Sequence, residues 1–281
     1  MLRFFRSGFI LLRGKVGFTL ENRQKKRGDR FDDYWLRDEV PAMNQFMGYL
    51  LPNRADNEAF IEQSIDLRPM DAFLAKKNAG LEKDKYSYFH VILAACVKCF
   101  VLRPRMNRFI SGNRIYQRDH ISVAFVVKKR FEDSSSEGLA YKRYTGDDTI
   151  DTLHASILEE IYQCRRTDVE DNSNAFMQKL MRLPSWLLRI VVKILFKLDR
   201  KGKVPYDIIR TDPNYASIFL TNLGSIGLDA GYHHLNNWGT NSFFGVIGKK
   251  HLAPEWHEDG SCTVHPVLDL GLTLDERIGD G

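Results

Sequence analysis

Apolar and polar positions alternate near the end of the chain. Val264, Pro266, Leu268, Leu270, Leu272 and Leu274 share one side, and His265, Asp269 and Thr273 lie on the other. That period of two predicts a strand with one buried face. Pro266 predicts an edge position or the start of pairing within it. Shorter segments predict further strands at Phe60–Leu67, Asn113–Gln117, Ile121–Val127, Ser217–Thr221 and Ser242–Ile247. Tyr88 to Leu102 is almost wholly apolar and predicts a buried helix, ended by Arg103-Pro104 because proline disfavours helix at the residue before it. Met70 to Ala79 predicts a short helix. Ile150, Leu153, Ile157, Leu158 and Ile161 recur at helical spacing behind Asp147-Asp148, whose charges suit a helix start. The polar run Asp133–Gly138 predicts a turn. Strands and helices mix without regular β-α alternation, which predicts an α+β fold.

Leu183 to Leu198 stands apart. Its only charges are Arg189, Lys193 and Lys197, four apart on one stripe, and the rest is apolar. The pattern predicts a helix sunk into the core or a subunit contact. A helix lying on a membrane surface is the alternative, since lysines beside Trp186 suit an interface. Pro184 fits its first turn.

Composition changes this picture little. The 281 residues are 43% hydrophobic and 27% charged, as in an ordinary soluble domain, and no apolar run reaches the roughly 18 residues of a spanning helix. Charge is more informative. Residues 1–30 carry nine Lys/Arg against Glu21 and Asp29, a local +7, so the remainder carries −2 of the net +5. Residues 1–26 are therefore expected to be a basic extension, with the folded domain at 27–281. No nucleic-acid-binding body is expected; membrane-surface contact by the extension is the lesser reading. The four cysteines form no disulfide framework for a chain this long, which implies a reducing cytoplasm. Cys96 and Cys99 have the C-x-x-C spacing but lie in an apolar helical run without a second pair. They read as packed helix residues, and no metal is expected.

Four ordered segments carry a resemblance. Asp275-Glu276-Arg277-Ile278-Gly279-Asp280-Gly281 resembles the signature D-H-R-x-x-D-G, with glutamate at the histidine position. Thr221-Asn-Leu-Gly-Ser-Ile-Gly227 resembles S-N-L-G-x-x-G. Leu102-Arg-Pro-Arg-Met-Asn107 resembles a helix end followed by P-x-x-N. Asn236-Asn237 precedes a strand ending Gly245-Val-Ile-Gly248. Together they span roughly residues 50–281 and resemble the acyltransferase catalytic domain of the 2-oxo-acid dehydrogenase complexes, a family that includes chloramphenicol acetyltransferase. The stretch from about 165 to 212 looks like an insertion. No lipoyl or peripheral binding sequence precedes the domain, so assembly into a dehydrogenase complex is not expected. The family's helix after the signature is not present before Gly281.

The resemblance implies a mixed sheet with helices packed on one side, a homotrimer with its site between subunits, and a coenzyme A thioester as co-substrate with a small-molecule acceptor. It implies that Glu276 stands at the base position, that Thr221 supplies the hydroxyl for the oxyanion, and that Asp280 braces the site by pairing with an arginine, Arg54 or Arg277. Asn222 and Asn237 fall in supporting positions. The substitution at Glu276 divides the reading. A carboxylate, ordinarily near pKa 4.3, becomes a competent base only if burial raises it. Otherwise Glu276 is a surface or ion-pair residue, and the domain is a silent trimeric scaffold or an acyl-CoA-binding protein. His233-His234 could offer imidazole from another loop, but neighbours in an extended chain are expected to face opposite ways, one satisfied and one exposed.

Overall fold

The long carboxy-terminal strand lies second from one edge of a six-stranded sheet. In this computed structural model the described residues are 23–128, 137–166, 180–209 and 212–279. The strands are β1 (Asp33–Trp35), β2 (Glu58–Asp66), β3 (Arg108–Ser111), β4 (Arg114–Arg118), β5 (Ile121–Lys128), β6 (Glu137–Tyr144), β7 (Ile218–Asn222), β8 (Phe243–Trp256) and β9 (Cys262–Asp275). The large sheet runs β2-β9-β8-β7-β5-β6, and a small sheet runs β1-β4-β3. β7 is parallel to both β5 and β8, while the other pairs of the large sheet are antiparallel. The mixed sheet agrees with the α+β expectation.

The helices are α1 (Ala42–Leu50), α2 (Arg68–Lys77), α3 (Tyr88–Leu102), α4 (Ile150–Arg166), α5 (Ser185–Arg200) and the short α6 (Tyr206–Ile209). Helices α3 and α4 cover one sheet face. Leu93, Val97 and Phe100 of α3 and Leu153 and Ile157 of α4 pack on Val123, Phe125, Leu220 and Phe243. Met70 of α2 and Ile92 of α3 extend this layer over Ile247, Leu268 and Leu270. The opposite face, carrying Phe244 and Val246, is covered by Leu235 and Leu223 from the connection after β7. A Cβ on Gly271 would come within 2.1 Å of the Gly231 carbonyl, so glycine lets that connection lie flat on the sheet.

Pro266 sits just beyond the last β2 pair, Asp66↔Val267, and its carbonyl accepts the Leu67 N–H at 3.0 Å. Its missing N–H cannot return that bond, which suits the end of the β2 ladder. The β8–β9 arm beyond that point leaves Leu252, Trp256 and Val264 exposed. The turn expected at Asp133–Gly138 lies mostly outside the described residues; Glu137 and Gly138 begin β6.

Helix α5 corrects one expectation. It is not sunk into the core, because Trp186, Ile190 and Ile194 stay exposed on the chain. Leu187, Leu188, Val191, Leu195, Phe196 and Leu198 are half-buried, and the buried residue of the helix is the aspartate Asp199. Asp199 accepts hydrogen bonds from the Tyr215 hydroxyl at 2.7 Å, the Gly239 N–H at 3.1 Å and Arg30 at 3.4 Å. A polar anchor, not an apolar face, fastens the helix end. Leu195→Asp should therefore cost a few kcal/mol of unfolding free energy, about 2–4, by putting a charge against the docked flank. Ile194→Asp should leave monomer unfolding within about 0.5 kcal/mol, as expected of an exposed position. Equal losses in denaturant titrations of the two variants would sink this assignment of faces.

The start of α3 carries a pH-dependent contribution. Ser87 caps it, and the Nδ1 of His90 accepts the Ser87 N–H at 3.0 Å. The ring is buried beside His154, and burial pushes its pKa down to about 4. An unfolded histidine titrates near 6.5, so this stability is complete above that pH and is lost as pH falls toward 4. Between pH 7 and 4.5 the wild type should lose roughly 2–3 kcal/mol through this group. The stability gap between wild type and His90→Leu should narrow by that amount; a gap independent of pH would exclude the effect.

Candidate active site

The site residues are fixed by backbone geometry at the end of β9. The strand pairs with β2 up to Glu58↔Asp275, then breaks into a 3-10 turn over Glu276–Ile278. The Asp275 N–H donates to the Ser242 carbonyl at 3.0 Å, and the Glu276 N–H donates to the Asn57 carbonyl at 3.0 Å. The turn is thus held from both sides before any side chain acts.

Asp275 is fully buried and forms the centre of the site. Arg277 Nε donates to its Oδ1 at 2.8 Å and Nη2 to its Oδ2 at 2.7 Å, a two-pronged pair, while Nη1 donates to the Leu51 carbonyl at 2.6 Å. Arg54 adds a second guanidinium, with Nε 3.6 Å from Asp275 Oδ2. Arg54 also donates to the carbonyls of Asn236 at 2.5 Å, Gly239 at 3.0 Å and Ile110 at 3.2 Å. Its backbone N–H, with that of Ala55, donates to the Asn237 side chain. Burial pushes the Arg54 pKa down to about 10, and Asp275 opposes that shift. Desolvation of the guanidinium is thus only partly offset by its acidic partner.

The expected site residues fall into two groups. Arg54 and Arg277 do meet at a carboxylate, but it is Asp275, which sequence reasoning passed over. Asp280, their expected partner, lies outside the described residues. The Asp-x-Arg spacing in the signature was the available signal, since a two-residue step across a turn lets the arginine fold back on the carboxylate. Asn237 holds the Arg54 loop. Asn222 accepts the Ser225 N–H at 3.2 Å and so caps the turn after β7. Gly224 in that turn lies against β8, where a Cβ would come within 2.4 Å of the Gly248 carbonyl.

Glu276 and Thr221 are uncommitted. The Glu276 side chain is exposed, with no hydrogen bond or ion pair among the described residues. The Thr221 hydroxyl also has no partner among them. Register separates the two. Thr221 pairs with Val246, which pairs with Gly271, and Asp275 lies four residues further along β9. That is about 13 Å of strand rise plus two strand spacings of about 5 Å each. One chain therefore does not bring the two side chains together.

The histidine expectation is corrected. His233 and His234 are both exposed, and their rings stack with centroids 4.6 Å apart; His233 also stacks on Phe244 at 4.2 Å. Residues 229–236 form no strand, so the alternation of an extended chain does not apply to them. Cys96 and Cys99 are half-buried in α3, and burial pushes the Cys96 thiol up to about 12, as suits a packed residue. Among the described residues no cluster of His, Cys, Asp and Glu could hold a metal ion, and no helix is long and apolar enough to cross a membrane.

Solved structures of the same shape exist. The dihydrolipoamide acetyltransferase of Azotobacter vinelandii superposes with a TM-score of 0.54 at 17% identity, over 95% of this chain and 89% of that one. The chain has the fold of the dihydrolipoamide acetyltransferase core. The cubic core of a pyruvate dehydrogenase multienzyme complex matches this fold at TM-score 0.53 and 16% identity, over 95% and 89% of the two chains. A probable dihydrolipoamide acetyltransferase of Listeria monocytogenes 4b F2365 matches at 0.53 and 14%, over 87% and 88%. No protein-family model and no curated protein matches the chain. In this acetyltransferase-core fold the turn bearing Glu276 and the end of β7 bearing Thr221 are built on different strands.

Proposed function

We propose that the domain at 27–281 transfers an acyl group from a coenzyme A thioester to a small-molecule acceptor, at sites formed between subunits of a homotrimer. The observation that carries this reading is the intact Asp275–Arg277–Arg54 network, which holds Glu276 at the signature's base position with its carboxylate uncommitted. The acceptor's proton would pass to the Glu276 carboxylate as the acceptor oxygen, sulfur or nitrogen attacks the thioester carbonyl. The Thr221 hydroxyl, supplied by a neighbouring subunit, would donate to the oxyanion. Collapse would break the carbon–sulfur bond and return the proton to the leaving thiolate. The distance between Glu276 and Thr221 within one chain supports a shared site. So do the exposed Leu252, Trp256 and Val264 on the two-stranded β8–β9 arm. The Azotobacter acetyltransferase, whose serine and histidine were investigated for a role in catalysis, supports the reaction class by likeness of fold. A reducing cytoplasm is the compartment proposed, since the four cysteines form no disulfide.

One observation favours a second reading. The single chain leaves Glu276 exposed, so any burial that would turn it into a base must come from a neighbour. If it does not, the protein is a silent trimeric scaffold or an acyl-CoA-binding protein. Light scattering for subunit number, together with thiol release from acetyl-CoA, separates these readings. A trimer with turnover supports the enzyme; a trimer that binds acetyl-CoA without turnover supports the binding protein. A monomer removes the shared site and both trimeric readings.

A further inference from the structure

Helix α5 keeps an apolar row outside the fold. Trp186, Ile190 and Ile194, four apart, are 66%, 47% and 52% exposed, while Leu187, Val191, Leu195 and Leu198 are half-buried on the other flank. Side chains four apart share one helix face. A second row runs beside the first. Arg189, Lys193 and Lys197 have the same step of four, and all three are exposed. None of the three makes an ion pair or a side-chain hydrogen bond among the described residues. Arg200, Lys201 and Lys203 carry the positive charge past the helix end, and they too are exposed. From Ser185 to Lys203 the acidic residue is Asp199, which is buried and held by Tyr215, Gly239 and Arg30.

Charge and area select the occupant. A twofold pairing of this face with a second copy would set two uncompensated basic rows against each other, and like charges across an interface are costly. Three apolar side chains also fall far short of the roughly 800 Å² per partner that a stable protein contact buries. A lipid surface makes neither demand. Its acyl boundary takes a narrow apolar row, and anionic headgroups take the cations beside it. Long Lys and Arg side chains reach back to the headgroups from a half-sunk helix. Tryptophan suits that boundary, because its ring is apolar and carries one N–H donor. At 16 residues α5 is too short to cross a bilayer, so its orientation there is along the surface.

We propose that α5 docks the domain on an anionic membrane surface, with Trp186, Ile190 and Ile194 sunk at the acyl boundary and Arg189, Lys193 and Lys197 on the lipid headgroups. The half-buried flank and the Asp199 anchor stay on the domain, so docking requires no detachment of the helix. The surface uses none of Glu276, Thr221 or Asp275, so it stands or falls apart from the acyl-transfer reading.

Flotation of the full chain with two kinds of vesicle tests it: phosphatidylcholine alone, and phosphatidylcholine with phosphatidylserine at about 7:3. The mixed vesicles should bind at least about tenfold tighter, and added salt should weaken that binding. Ile190→Ser with Ile194→Ser should weaken it by about tenfold or more, through the lost apolar burial. Arg189→Gln, Lys193→Gln and Lys197→Gln together should weaken it by about a hundredfold, at roughly fivefold per charge. Both variants should keep the wild-type melting temperature and subunit number, since the altered side chains are exposed. Equal binding to both vesicles, or none to the mixed ones, overturns the proposal. Unchanged affinity in either variant overturns it as well, because binding then rests on charge alone or on another basic segment such as residues 1–30. A lower subunit number in the isoleucine variant places this face between copies of the chain and overturns it too.

Discussion

Glu276→Gln should lower the turnover number for acyl transfer from acetyl-CoA by at least about a hundredfold, the scale of a lost general base. An amide occupies the same space and keeps the turn, whose hold comes from main-chain bonds to Asn57 and Ser242 and from the Asp275 pairs. Stability and trimer mass should therefore stay unchanged while thiol release falls. If the wild type shows no turnover, Glu276→His becomes the informative change. It restores imidazole where the network around Asp275 and the free Thr221 hydroxyl already stand, and it should confer measurable thioester transfer or hydrolysis. A histidine variant that binds CoA and remains inert would leave the scaffold reading in possession. A Glu276→Gln variant as fast as an active wild type would remove Glu276 from the chemistry.

Asp275→Ala should be the most destabilising single change near the site, at about 3–5 kcal/mol. The alanine leaves two guanidiniums buried without their carboxylate: Arg277 at 4% exposure and Arg54 at 3%. For a domain of this size the melting temperature should fall by roughly 10 °C. The double change Asp275→Ala with Arg277→Met should recover part of that loss, because it removes one stranded charge. A single-variant loss under about 1 kcal/mol in chemical denaturation, where most surface changes fall, would mean that water or the residues after Gly279 solvate the arginines. The pair would then be dispensable to the site.

Much of the fold was legible because its elements announce themselves locally. The apolar run from Tyr88 to Leu102 became α3 with those ends, since Ser87 can cap it and Pro104 stops it. The alternation from Val264 to Leu274 became β9. The extent of β8 was not legible, because Lys249-Lys250 interrupts the apolar pattern where a register shift lets the pairing continue. β6 lay behind a polar run, and β1 and β3 are too short for a period to show. Of the candidate site, the arginines were named; Asp280, their expected partner, lies outside the described residues, and the carboxylate they meet among those residues is Asp275. The burial that marks Asp275 as their partner is not visible in the sequence.

By itself the sequence determined the local elements, the α+β class and the ordered segments that resemble an acyltransferase domain. These depend on periodicity, capping and short spacing, which act within a few residues of chain. Tertiary structure alone decided that Asp275 is the buried partner of Arg54 and Arg277, and that α5 is anchored by Asp199 with Trp186 left outside. It also decided that Glu276 and Thr221 lie apart in one chain. Each of these joins residues far apart in sequence, and their desolvation and pairing exist only once the sheets bring them together.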